Sequence, residues 1–385
     1  MSNVDLALHS EYLIKLLRAS LNKETVKSIP EHIDLNKIYY LAKLHSVTPT
    51  VYPSIEDISS PFVNLFKNDF KVSWRKNAIQ YVELSLILSK ADEFNIDCIP
   101  LKGSVMKDLY PSPEMRTMAD LDFLFDQRRI DDVNLIMYSL GYTAKEETVN
   151  HFSYYKEPVM NVEFHPNFFD DTITLASFFN PGWRYAKQTG KGIPIRKLTN
   201  EGFYIYLIAH IIKHFKSGGA GIRSVMDVWV FLSHFEKTLD WSFINQELKK
   251  AKIDDFSNNI YKLSGVWFGN EKPTTLLNEL GEFIIKSGTY GMKSTNIKNV
   301  LGTENKLGNC KIKYIINSVF PSKNNMINYP FIKKVPFLLP IVWIIRVFSI
   351  LFRQKKEVKS WYSNLTEVSE ETVKEQREMF TRFGL

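Results

Sequence analysis

Apolar residues in the first quarter of the chain recur at helical spacing: Leu13, Leu16 and Leu17, then Ile38, Leu41 and Leu44, and later Tyr81, Leu84, Ile87 and Leu88. Residues 1–94 therefore read as a helical N-terminal region. Between residues 95 and 198 the texture changes to short apolar runs at 96–101, 119–125, 151–157 and 159–165. Runs of that length with polar borders read as strands, and residues 129–140 between the second and third keep helical spacing. A further strand is expected at 192–198. Helical periodicity returns in residues 199–385, first at 201–215 and again at 222–235, beyond the breaker Gly218-Gly219-Ala220-Gly221. The pattern predicts an α+β chain with a small sheet core at 95–198 and helical regions on either side.

Composition narrows the class without choosing a function. The chain has 385 residues, 44% hydrophobic and 24% charged, which excludes disordered and multi-span membrane classes. A net charge of +7 suits polyanionic ligands such as nucleotides, RNA or an anionic membrane surface. Cys98 and Cys310 can neither build a disulfide framework nor supply a zinc site by themselves, so a reducing cytoplasm is the expected location. Residues 1–24 mix charges into their apolar positions and show no secretory signal pattern.

The chemistry concentrates around two strands. In Ala119-Asp120-Leu121-Asp122-Phe123 the alternation of an extended chain puts Asp120 and Asp122 on one face and Leu121 and Phe123 on the other. Two carboxylates side by side on an apolar strand repel each other unless cations sit beside them. Oxygen ligands without a Cys or multiple-His set favour Mg²⁺ or Mn²⁺. Downstream, Asn161-Val162-Glu163-Phe164-His165 places Glu163 and His165 on one face, so Glu163 can supply a third acid. Upstream, Lys102-Gly103-Ser104 forms a strand-to-helix turn whose backbone N–H groups can approach a phosphate, with Lys102 and Arg116 adding positive charge. The plainer alternatives are that Gly103 ends a strand and that Lys102 and Arg116 pair with acids structurally.

Gly-Ser, then Asp-x-Asp in an apolar strand, then a later single acid resembles the catalytic pattern of the DNA polymerase beta-like nucleotidyltransferase superfamily. More closely, residues 101–125 with Val162-Glu163-Phe164-His165 and His210-Ile211-Ile212-Lys213-His214 look like a bacterial family of uncharacterised nucleotidyltransferases, the NTP_transf_5 group, over residues 96–227. The resemblance implies a small mixed sheet flanked by helices, binding of a nucleoside triphosphate with Mg²⁺, and transfer of a nucleoside monophosphate to an acceptor. In it Gly103 and Ser104 take the place of the Gly-Ser turn, Asp120 and Asp122 the metal pair, and Glu163 the third acid. The spacer from Ser104 to Asp120 is longer than is common in the superfamily, and the third acid is Glu where Asp is usual.

A second cluster lies on the following helices. His210 and His214 share a helix face, and Arg223 and Asp227 stand at the same spacing on the next helix. Ile211 occupies the position where a zinc protease needs Glu, and no adjacent His-Asp pair occurs for a phosphohydrolase. These helices are expected either to cover the nucleotide, with His165, His210, Lys213, His214 or Arg223 contacting phosphate or acceptor, or simply to pack through an Arg223–Asp227 pair. Residues 335–352 are strongly apolar but interrupted by Pro336, Pro340 and Arg346, which argues against a span. They are expected either to be buried or to lie at an anionic membrane surface between Lys333, Lys334 and Arg353, Lys355, Lys356. Residues 359–383 read as a solvated amphipathic helix.

The expected activity is Mg²⁺-dependent nucleotidyl transfer to a small molecule or protein hydroxyl, with nucleic acid ranked lower as acceptor for want of a basic, aromatic-rich motif. The alternative is a non-catalytic nucleotide- or RNA-binding module of the same fold, peripheral to a membrane.

Overall fold

A computed structural model describes residues 2–147, 151–169, 175–190, 195–289, 335–353 and 368–385, with residues 295, 297, 311, 315, 316, 319–321, 332 and 365. The chain forms two compact units, one comprising 1–213, 220–289 and 383–385, the other 214–219 and 290–382.

The first unit opens with helices α1 Asn3–Leu21, α2 Leu35–Leu44, α3 Thr48–Ile55 and α4 Val63–Glu93. Ser2 and Asp34 start α1 and α2 by accepting the N–H groups of Asp5 and Asn36, which the helices themselves leave unpaired. α4 turns an unusually polar face inward, burying Ser73, Asn77, Gln80 and Glu83 as well as Phe66 and Ile87. On this side of the helix Ser73 donates to the Glu114 carbonyl at 2.7 Å, and the half-buried Lys76 to that of Ala119 at 3.1 Å. α4 thereby anchors the irregular segment that leads into Asp120.

The expected sheet is present. β1 Cys98–Pro100, β2 Leu121–Phe125, β3 Thr143–Glu147, β4 Phe152–Lys156 and β5 Met160–His165 assemble in the order β1-β2-β5-β4-β3. β2 and β5 run parallel and the other neighbours antiparallel, which makes the sheet mixed. Leu121, Phe123 and Phe125 of β2 join Met160, Val162 and Phe164 of β5 in one apolar layer with Ile87 and Ala91 of α4. Val133, Ile136 and Met137, from α6 Ile130–Ser139, complete that layer. Phe123 and Phe164 stack at 5.1 Å, so the parallel pair is locked by aromatic contact on the face away from its acids.

Short elements follow: α5 Gly103–Met106 after β1, α7 Ala176–Phe179, and the ribbon of β6 Ala186–Gln188 with β7 Arg196–Leu198. β7 is the described part of the strand expected at 192–198. β3 and β6 were not expected, because Thr-Ala-Lys-Glu-Glu and Ala-Lys-Gln carry almost no apolar signal. α8 Asn200–Ser217, α9 Ile222–Phe235, α10 Trp241–Lys250, α11 Asp254–Phe268 and α12 Thr275–Ser287 then supply the expected helices.

In the second unit the apolar stretch at 335–352 forms the helix Leu339–Arg353. Ile332, Val342, Leu338, Leu339 and Trp343 pack together, yet Ile341, Ile344, Ile345 and Phe348 are exposed. Burial of the whole segment is therefore corrected: only one face is covered. Among the described residues no helix is long and apolar enough to cross a membrane. Of the amphipathic helix expected at 359–383, Glu370–Phe383 is helical, while residues 359–364, 366 and 367, like Cys310, lie outside the described residues.

Candidate active site

The parallel register brings Asp122 directly beside Glu163, with Leu124 beside His165. Both acids were placed on their faces by alternation, and β5 shows it plainly: Met160, Val162 and Phe164 are buried while Asn161, Glu163 and His165 are half-buried on the opposite face. Asp120 lies one residue ahead of β2 rather than within it.

Cations of the protein neutralise part of this charge. Lys102 Nζ stands 3.2 Å from Asp122 Oδ2, and His165 Nε2 stands 3.0 Å from Asp122 Oδ1 and 3.4 Å from Glu163 Oε2. Burial would raise the Asp122 carboxyl, but Lys102 and the bonded His165 outweigh it and hold the group well below the usual carboxylate range. The hydrogen bond from His165 likewise lowers Glu163. The imidazole itself is raised, since its bonds to Asp122 and Glu163 outweigh its burial. Asp120 goes the other way: burial and the neighbouring charge of Asp122 push it up to about 6 despite Lys102.

The turn above the acids is tightly built. Lys102 adopts φ 45° and ψ −112°, a conformation rarely held by a residue with a side chain and a local store of strain. Val105 and Met106 donate their N–H groups back to the Lys102 carbonyl, so those of Gly103 and Ser104 precede the first turn's bonds. A Cβ on Gly103 would fall 2.4 Å from Met118 Sδ, so a larger residue here would have to displace the Met118 side chain. Ser104 Oγ donates to the Leu101 carbonyl at 2.7 Å and serves the turn itself.

Other sequence candidates are distributed differently. Arg116 grips Asp227 of α9 through Nε and Nη2, each at 2.8 Å, and Tyr110 donates to the same carboxylate at 2.6 Å. The i,i+4 pairing of Arg223 with Asp227 is thus not what fixes Asp227. Arg223 reaches Thr117, at 3.3 Å from its Oγ1. Asp227→Ala is expected to cost about 3–5 kcal/mol in urea unfolding, because it strands the Arg116 guanidinium in the interior; an unchanged midpoint would refute that role. His210 and Lys213 are half-buried on α8, His210 with its ring 5.9 Å from that of Tyr206. His214 belongs to the second unit.

Two neighbours escaped the sequence. Tyr206 is buried on α8, and its phenol feels Lys102, Asp122 and Asp120 electrostatically. Its position one turn before His210 was the available signal. Lys76 is raised by the charge of Asp120 but lowered overall by burial, and nothing in α4 announces it. Among the described residues, Asp122, Glu163 and His165 form a group whose ligand atoms lie within 4.8 Å of one another, a spacing one metal ion can bridge.

A family model described as an uncharacterised nucleotidyltransferase matches residues 31–269. No curated protein matches the chain. Among solved structures, the solution structure of the antibiotic-resistance factor ANT(2″)-Ia is similar over 46% of this chain and 90% of its own, at 14% identity and a TM-score of 0.33. At that distance it assigns nothing to individual residues.

Proposed function

The chain belongs to this uncharacterised nucleotidyltransferase family, and from that premise we propose that it is a Mg²⁺-dependent enzyme transferring a nucleoside monophosphate from a nucleoside triphosphate to a hydroxyl acceptor. The observation that carries this reading is the β2–β5 register, which sets Glu163 against Asp122, the carboxylate paired with Lys102 at the start of the Gly103-Ser104 turn.

The donor set fits a hard divalent cation. Asp122 and Glu163 offer carboxylate oxygens within reach of one ion, with Asp120 proposed as the third ligand; burial and then the charge of Asp122 raise Asp120, and a cation would offset both. When bound, Mg²⁺ or Mn²⁺ supplies positive charge against the triphosphate and the departing pyrophosphate. Lys102 adds a fixed charge for phosphate oxygens, and the N–H groups of Gly103 and Ser104 orient them. Glu163 accepts the proton of the acceptor hydroxyl, while His165 holds that carboxylate by hydrogen bonding to both acids. Tyr206 and His210 of α8, with Lys213 and Arg223, are the proposed contacts for the nucleotide or acceptor.

A small polar acceptor is favoured by a cleft of about 250 Å³ beside the segment leading to Asp120. Lys76, Asn77, Gln80 and Thr117 are among its lining residues, and its size suits a small molecule better than a polymer. A reducing, cytoplasmic setting goes with this reading, in a chain with only two cysteines.

One observation favours a non-catalytic nucleotide-binding module: Asp122 is already neutralised by Lys102 and His165. Thermal melting with each NTP, with and without Mg²⁺, separates the two. Metal-dependent stabilisation of about 2.7 kcal/mol is expected when the Mg²⁺–NTP complex is at a hundred times its dissociation constant. Pyrophosphate release should accompany it when hydroxylated small molecules are added. Nucleotide binding indifferent to Mg²⁺ would favour the module and overturn the enzyme.

A further inference from the structure

The net positive charge of this chain is concentrated in one place. Residues 305–356 hold ten Lys and Arg and no Asp or Glu, whereas the remaining 333 residues carry 39 Lys and Arg against 42 Asp and Glu. The same stretch contains the helix Leu339–Arg353, whose two faces have different fates. Val342 is buried in a small cluster with Ile332 and Trp343, and Trp343 Nε1 donates to the Pro321 carbonyl at 3.0 Å. On the other face Ile341, Ile344, Ile345 and Phe348 are 53%, 57%, 49% and 57% exposed, and Phe337, in the turn before the helix, is 78% exposed. At 100° per residue the four helical positions form one stripe about 100° wide, with Val342 beside it and Trp343 opposite. Large apolar side chains grouped in this way mark an interaction surface, not incidental exposure.

We propose that this stripe docks on the surface of an anionic lipid bilayer, with the helix lying in the plane of the interface. The length of the helix excludes a crossing: its 15 residues extend about 22 Å, short of the ~30 Å hydrocarbon core. The charge selects lipid as the occupant. A second copy of this chain would set a segment of the same positive sign against this one, whereas an anionic leaflet attracts that charge and accepts the apolar side chains beneath its headgroups. Lys333, Lys334, Lys355 and Lys356 bracket the stripe in sequence, the arrangement in which basic flanks reach headgroups while the apolar face inserts.

The proposal does not depend on the catalytic reading, and vesicle binding tests it directly. The full chain is sedimented with phosphatidylcholine vesicles, or with vesicles containing about 30 mol% phosphatidylserine. At least about tenfold stronger partitioning to the anionic vesicles is expected, falling in about 0.5 M NaCl as the flanking charges are screened. The pair Ile344→Asp with Phe348→Asp should lose at least about tenfold of that binding with unchanged far-UV circular dichroism and melting temperature. A second variant, Lys333→Gln, Lys334→Gln, Lys355→Gln and Lys356→Gln, leaves the apolar stripe intact and should weaken binding to anionic vesicles alone. No sedimentation with anionic vesicles would overturn the proposal, as would binding by both variants as strong as that of the parent. So would a dimer in solution that the Asp pair dissociates while vesicles bind nothing.

Discussion

Replacing Asp120 by asparagine is expected to abolish nucleotidyl transfer and, at the same time, to stabilise the metal-free protein at neutral pH. Loss of one fixed charge in a phosphoryl-transfer site costs roughly 10²- to 10³-fold in turnover or more. The stability effect follows from linkage. The folded protein holds the Asp120 proton up to about 6 against 3.8 for an unperturbed carboxyl. Its contribution to stability is therefore fully present below the unfolded value and lost as pH rises through the folded one. Asparagine carries no such loss. In urea unfolding with EDTA the variant should match the parent near pH 4 and exceed it by roughly 1–3 kcal/mol above pH 7. A difference that stays flat across that range would contradict the crowding of charge proposed for this site.

Asp122→Asn should also eliminate turnover, but with the opposite effect on stability. Asp122 is the common partner of Lys102 and His165, and its carboxyl is held low by them. Neutralising it leaves the Lys102 ammonium without its counter-charge at a strained backbone position, a loss of about 3 kcal/mol near neutrality. Because the folded group titrates below the unfolded one, the parent's advantage is present above the unfolded value and vanishes as pH falls through the folded one. The two variants should converge in acid. If both aspartates respond alike at neutral pH, the division into one paired and one crowded carboxylate is wrong.

The parts of the site that were legible in the sequence are those where a strand alternates between core and site. β5 shows its pattern in six residues, so Glu163 and His165 were assignable to one face before any coordinates. β2 shows its acids but not its edge, and Asp120 falls outside the strand because pairing begins at Leu121, opposite Val162 of β5. β3 was invisible because an edge strand can be made of Thr, Ala, Lys and Glu when only its backbone is used. The partner of Asp227 is hidden for a different reason. Helical spacing nominates Arg223, whereas the guanidinium that arrives belongs to Arg116, 111 residues upstream. Long-range ion pairs of this kind leave no periodic trace. The apolar run at 335–352 conveyed hydrophobicity but not which face would find a neighbour within the chain.

The strand order also bears on how the molecule folds. β1 and β2 are sequence neighbours on one side, and β3, β4 and β5 make a meander on the other. Within the described sheet the two halves pair along β2–β5, where one acid comes from each. Local hairpins form early, while a parallel contact spanning about forty residues must wait for chain closure. The charge repulsion proposed for catalysis then resists the last docking event, with Lys102 and His165 opposing that resistance. Parting of this junction, well short of global unfolding, would silence the enzyme while the β1–β2 pair and the β3–β4–β5 meander kept their hydrogen bonds.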